Sequence, residues 1–186
     1  MEKHFELTDE TIEVAGNTMH RIRCTRDCKW AKTGDLGGFI EKEDNLSGNA
    51  WVYDNAQVYG DARVYGNAQV YGNARLAGNA RVYDNAQVYG DARVYGNSRL
   101  YGDARVAGNA RVAGNDDHCG FDVFGSIGRH THAYRTSDGG VEITCGCFHG
   151  DIEAFEAKVR HTHGDSQYAR EYLAIAHVIR VKFGLA

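Results

Sequence analysis

Between Leu46 and Asp117 the chain repeats itself every six residues, twelve times over and without a gap. Written from its branched residue, a unit reads V-Y-G-N-A-Q or V-Y-G-D-A-R. The first position is Val or Leu throughout, from Leu46 and Val52 to Val106 and Val112. The third is Gly except at Asp54 and Asp84, the fourth is always Asn or Asp, and the fifth is Ala except at Ser98 and Asp116. A period this strict constrains the fold more than any other feature of the chain. Within A-R-V-Y, small-apolar, polar, branched and aromatic residues alternate, so Ala and Val point one way and Arg and Tyr the other, as in a short strand. G-N and G-D make the corners, because Gly accepts a positive φ and Asn or Asp tolerates it next best. A strand and a corner every six residues predict a mainly β chain wound as a parallel β-helix, each coil pairing with those above and below. The 23 Gly and complete lack of Pro fit such a repeat, and fit neither collagen nor a Pro-rich linker.

A solenoid needs covered ends. Asp116 falls on the inward small-residue position, so the ladder is expected to stop there. Residues 1–45 read as an N-terminal β cap and a first irregular coil: F-E-L, T-I-E-V, a Gly16-Asn17 turn and T-M-H-R-I-R-C suggest a hairpin. Residues 118–186 lose the six-residue period and read as a small α+β module. F-D-V-F-G-S-I-G, H-T-H-A-Y-R-T and V-E-I-T-C-G-C-F-H are its strands, with a turn at Ser137-Asp138-Gly139-Gly140. Two helices follow, one capped by Asp151 with Ile152, Phe155 and Val159 on a face and stopped by Gly164. The other is capped by Asp165, with Tyr168, Tyr172, Ile175 and Ile179 on a face.

A branched aliphatic followed four residues later by a small residue resembles the motif of left-handed β-helix proteins, in which three hexads close one triangular coil. The resemblance implies the left-handed sense and about four regular coils for residues 46–117; hexad spacing alone does not give handedness. Beyond the array, T-D-E-T-I-E-V, G-D-L-G-G-F-I-E-K-E-D-N-L-S and G-C-F-H-G-D-I-E-A-F-E resemble hexapeptide-repeat proteins of enterobacteria, their phages and prophages. Such proteins are labelled acyltransferases or polymer-forming proteins from the repeat, which is an analogy of fold. The reading adopted is a non-catalytic binding protein that engages a host protein or a nucleotide-like ligand; interference in a host defence system is what the phage resemblance implies. The alternative is an acyltransferase using an acyl-coenzyme A donor at a subunit interface.

Charge and composition narrow the classes further. The net charge is −4, which argues against a generic nucleic-acid or anionic-membrane binder. No apolar run reaches the ~18 residues of a membrane span, and M-E-K-H-F-E-L-T-D-E lacks the features of a signal peptide. Five cysteines without a secreted-type framework suggest a reducing compartment, here the cytoplasm of a bacterial host cell. A DNA mimic would need an acidic array, and an ice binder would need outward Thr; this array has neither.

An acyltransferase generally needs a His base and a loop extruded from a coil. The array contains no His and no insertion, and the nearest imidazoles are His20 and His118, outside it. No catalytic residue and no cofactor are therefore assigned. Cys145, Cys147 and His149 alternate and would share a face if they lay on one strand, a spacing open to a metal. Without a Cys-x-x-Cys, surface histidines and buried thiols are the preferred account, and no metal ligand is assigned.

The outward ladder is the remaining candidate. Residues 18 apart stack about 4.8 Å from each other. One face carries Arg63, Arg81 and Arg99 with Tyr65, Tyr83 and Tyr101. A second has Arg75, Arg93 and Arg111 with Tyr59 and Tyr95; the third has Trp51, Gln69, Gln87 and Arg105 with Tyr53, Tyr71 and Tyr89. Rows of Arg and Tyr suit a small anionic ligand or a protein partner, and flat Tyr-rich faces suggest a homo-oligomer, a trimer first. Against specificity, residues 52–67 recur unchanged as residues 82–97, an offset of five hexads that moves each copied Arg to another face.

Overall fold

The computed structural model describes residues 3–185. The hexads form eleven two-residue strands, β4 (Trp51–Val52) through β14 (Arg111–Val112), one every six residues. Each pairs in parallel with the strand 18 residues away, as Gln57 with Arg75 and Val58 with Leu76. Backbone bonds climb the solenoid without interruption, Gln57 N–H donating to the Ala74 carbonyl at 2.9 Å and Tyr59 N–H to Leu76 at 3.0 Å. Every Val, Leu and Ala at the first and fifth positions is buried in one continuous core. The chain is a mainly β protein with a solenoid of about four turns, followed by a four-stranded sheet and two helices.

Two exceptions in the hexad are explained by the coil. Ser98 replaces the inward Ala and is buried, its hydroxyl donating to the carbonyls of Tyr95 at 2.7 Å and Val112 at 3.2 Å. Asp54 and Asp84 take the corner with φ of 51° and 59°, and each carboxylate accepts the N–H of the glycine one coil on, Gly72 or Gly102. Asp116 does not enter the core. The chain breaks into a 3₁₀ turn over Asn115–Asp117 and leaves Asp116 exposed.

At the N-terminal side, β1 (Phe5–Val14), β2 (Asn17–Cys24) and β3 (Leu36–Ile40) extend one solenoid face, in the order β1-β2-β3-β5-β8-β11-β14. The hairpin turn is Ala15-Gly16 rather than Gly16-Asn17: both central residues have positive φ, and Asn17 already pairs with Val14. Residues between β2 and β3 cover the base of another face. The Trp30 indole N–H donates to the Asn67 carbonyl and the Tyr53 hydroxyl donates to the Trp30 carbonyl. Trp51, expected to face outward, is buried at 1% exposure beside His4.

The C-terminal sheet, β15 (His118–Phe124), β16 (Arg129–Arg135), β17 (Val141–Cys145) and β18 (Phe148–Asp151), is antiparallel in sequence order. One of its faces packs with Ala133, Val141, Ile143 and Cys145 on helices α1 (Ile152–His163) and α2 (Gln167–Phe183). The other lies against the last coil, where Tyr134 joins the solenoid core and its hydroxyl accepts the Ala107 N–H. Thr144 and Arg105 tie the sheet to the coil from both sides. V-E-I-T-C-G-C-F-H is two strands, not one, because Gly146 turns the chain at φ 61° and pairs Cys145 with Phe148. Ser166, not Asp165, caps α2 by accepting the Ala169 N–H; Tyr168 is exposed and Ala169 takes its place on the buried face.

Candidate functional site

The three faces of the solenoid differ, and the difference is in how the outward positions combine. Arg63 pairs with Arg81 and Arg81 with Arg99 in parallel register, so three exposed guanidiniums stand in one row. Among the described residues, none of the three makes a hydrogen bond or ion pair. Like charges held in register repel one another, and an anion lying across them would relieve that. Beside them the rings of Tyr65 and Tyr83 stack at 4.9 Å and 3°, and those of Tyr83 and Tyr101 at 5.6 Å and 19°. The six residues expected to act together are therefore neighbours on one face.

The other faces lack this combination. Where Arg75, Arg93 and Arg111 align, Ala77 and Ala113 interrupt the aromatic row, and Arg111 is engaged by the Tyr95 hydroxyl at 2.6 Å. The third face stacks Tyr71 on Tyr89 at 4.9 Å, but its outward strand positions are Gln69 and Gln87, and Arg105 donates to the Gly146 carbonyl. Arg63 and its duplicate Arg93 stand on different sheets, as the five-hexad offset requires.

Clefts open along the Arg–Tyr face. Its N-terminal end borders a cleft of about 870 Å³ that includes Lys3, His4, Arg63, Tyr65 and Arg81. A middle cleft of about 390 Å³ lies between the Arg row and Asp61, Asn79 and Asn97. At the C-terminal end a cleft of about 560 Å³ is shared by Tyr83, Arg99 and Tyr101 with His118, His130 and His132. The sequence reading missed this last junction and took the histidines for surface residues.

Three of them instead form a second ring stack. His118 lies on His132 at 5.2 Å between centroids, and His132 on His130 at 5.5 Å. Alternation along H-T-H-A-Y puts His130, His132 and Tyr134 on the face toward the solenoid, and cross-strand pairing sets Gly120 opposite His132. A side chain at 120 would strike both rings, its Cβ coming within 2.9 Å of His130 and 3.1 Å of His132. Asp122 holds the Nδ1 of His130. Burial pushes the His118 imidazole down to about 4, the Lys182 charge adding to the effect and Asp117 opposing it. His132 is held well below the usual imidazole range by burial first, then by the charges that His118 and His130 would carry.

The remaining candidates fall apart in space. Cys145 is buried under the helices, Cys147 is exposed at the turn, and the His149 Nε2 lies 2.7 Å from the Glu142 carboxylate on the adjacent strand and 3.2 Å from the Tyr134 hydroxyl on the strand beyond. Among the described residues no group of three His, Cys, Asp or Glu is placed to hold a metal ion. His20 is engaged by the Thr8 carbonyl in the N-terminal hairpin, a full array away from His118.

A family model described as the YdcK beta solenoid repeat matches residues 56–72, 68–84 and 86–102. No curated protein matches the chain. Over the coils that carry the Arg–Tyr face, the chain is thus similar to a family of β-solenoid repeats.

Proposed function

We propose that this chain is a non-catalytic binding protein of phage or prophage type, acting in the cytoplasm of a bacterial host, that holds a small anionic ligand on its Arg63/Arg81/Arg99 and Tyr65/Tyr83/Tyr101 face. The observation that carries this reading is the row of three in-register guanidiniums without partners beside an unbroken ring stack. Sequestering an anionic messenger or metabolite would be one way to blunt a host defence. The test compares small molecules released by heat from the protein and from the Arg63→Ala, Arg81→Ala, Arg99→Ala variant, both purified from bacteria and analysed by mass spectrometry. An anionic species present with the first and absent from the second is expected. Identical release from both would remove the reading.

A host-protein partner is the second reading, favoured by the exposed β15–β16 tip. Val123 and Ile127 are 80% and 67% exposed there, and Val123 has a positive φ that β-branched residues rarely adopt. In that case the triple Arg variant retains its partner, and Val123→Ser with Ile127→Ser loses it. Self-association, as a trimer, belongs to the same proposal, because the solenoid has further flat Tyr-rich surface outside the ligand face, where Tyr71 and Tyr89 stack and stay partly exposed. Light scattering at micromolar concentration should give an oligomer, and a strict monomer would remove it.

A further inference from the structure

We infer that the cleft between Tyr101 and the His118/His132 stack takes the planar heterocycle of a mononucleotide, whose phosphate lies on Arg99 and Arg81. This rests on the anionic-ligand reading above and specifies the class of ligand.

The first support is the end of the tyrosine ladder. Tyr65, Tyr83 and Tyr101 stack in sequence, and the next ladder position, 18 residues on, is Cys119 on β15, where the chain has left the solenoid. Tyr101 is 54% exposed and stacks on Tyr83 from one side. It is a terminal ring facing a cleft. Bases stack readily on such rings, because every base has a π-face.

The second support is the opposite wall. His118 and His132 are buried at 8% and 3% exposure, yet both ring nitrogens of His118 and the Nε2 of His132 have no hydrogen-bond partner among the described residues. The Nδ1 of His132 already meets His130 at 3.3 Å, and the Asp122 carboxylate is engaged by His130. A buried polar atom without a partner is costly, and these three enclosed atoms belong to two side chains that line one cleft. A neutral imidazole offers one donor and one acceptor. A group that reaches these atoms must both donate and accept, as a heterocycle does and a bare phosphate, rich in acceptors, does not.

Charge and size agree. Arg99 lies on the rim with a guanidinium that makes no ion pair, while its backbone N–H is already satisfied by Asn115. The volume of about 560 Å³ lies inside the ~300–1,000 Å³ usual for small-molecule sites. Gly120 leaves the histidine rings the room to stand as they do.

The test titrates adenosine 5′-monophosphate, ribose 5-phosphate and adenosine into the full chain by calorimetry, repeated with the guanosine, cytidine and uridine monophosphates. The expected result is that at least one mononucleotide binds tenfold or more tightly than ribose 5-phosphate. Tyr101→Ala, at an exposed position, should weaken that nucleotide about fivefold or more and leave ribose 5-phosphate unchanged. His118→Gln should also weaken it, and the imidazole C–H resonances of His118 and His132 should move on adding the nucleotide but not ribose 5-phosphate. If ribose 5-phosphate binds as tightly as every nucleotide and Tyr101→Ala changes nothing, the heterocycle site is overturned while the anion-binding row stands. If no mononucleotide binds, the inference is overturned, and the heat-release comparison then decides separately whether the anionic reading falls with it.

Discussion

Corner glycines stand at positive φ along the solenoid, yet their surroundings differ enough to give them different tolerances. Gly96 has φ 62° and a Cβ built there would lie 2.0 Å from the Ala113 carbonyl oxygen; Gly102 has φ 63° and open space around it. Asp54 and Asp84 show that an aspartate can occupy this corner. Gly102→Asn, which adds no charge over the Asp84 carboxylate, should then cost about 1 kcal/mol, while Gly96→Asn, which must also displace backbone, should cost about 3 kcal/mol or more. Chemical denaturation of the two variants reads the difference, and equal losses would contradict the contact. The buried imidazoles give a second prediction at this scale. In the unfolded chain His118 and His132 titrate near 6.5, whereas burial holds His118 at about 4 and His132 well below its ordinary value. The unfolded chain therefore binds protons that the folded chain refuses as pH falls from about 6.5 to about 4. Stability is fully present above that window and is lost as pH falls through it, by up to about 1.4 kcal/mol per unit for each histidine. The melting temperature should be level from pH 8 to 7 and drop from 6.5 to 4.5, with a shallower drop in His118→Gln. An equal slope in both would show that His118 does not titrate as its burial requires. None of this was legible in the histidines alone, since His118 meets His132 only through the pairing of β15 with β16.

At the scale of elements, legibility followed the range of the interactions that decide them. The hexad is local and repeated twelve times, so each corner corroborates the next, and its inward and outward positions were readable without a structure. Single turns had no such redundancy. The first hairpin closes at Ala15-Gly16 because a two-residue loop with both φ positive matches the twist of its strands, and this shifts the turn by one residue. The strand through Cys145 breaks at Gly146, which removes the shared face that Cys145, Cys147 and His149 would have had. The junction between the helices offered two capping residues in succession, Asp165 and Ser166. Tertiary packing chose the second by placing Ala169 and Tyr172 inward and Tyr168 outward. Ser166→Ala should thus cost about 1 kcal/mol and Asp165→Ala only a few tenths, since Ser166 alone accepts the Ala169 N–H. Thermal melting of the pair checks this, and the reverse order would return the cap to Asp165.

For the whole molecule, the question is how a stack of near-identical coils ends. A solenoid edge carries a row of unpaired N–H and C=O groups and an open hydrophobic core, both of which invite another chain. Here the N-terminal hairpin continues one sheet with antiparallel strands and so ends its parallel growth. The other end is closed by the C-terminal sheet. Tyr134 is inserted into the last coil with 0% exposure, Ala110 bridges to Thr136, and the Ser137 N–H donates to the Asn109 carbonyl. The same sheet supplies the histidine wall of the 560 Å³ cleft, so capping and the candidate site share one surface. A chain cut after Asn115 should consequently lose more than a binding module. It exposes Val106, Val112 and the last coil's backbone, and it should melt at a lower temperature and associate end to end in proportion to concentration. Tyr134→Ala in the full chain should show a weaker form of the same effect, because it empties the plug and leaves the hydrogen bonds at Ala110 and Asn109 in place. Light scattering and melting over a hundredfold range of concentration read both variants. A truncated array that stays at the size of the full chain and melts at the same temperature would show that the coils close themselves, and the C-terminal sheet would then be an attachment rather than a cap.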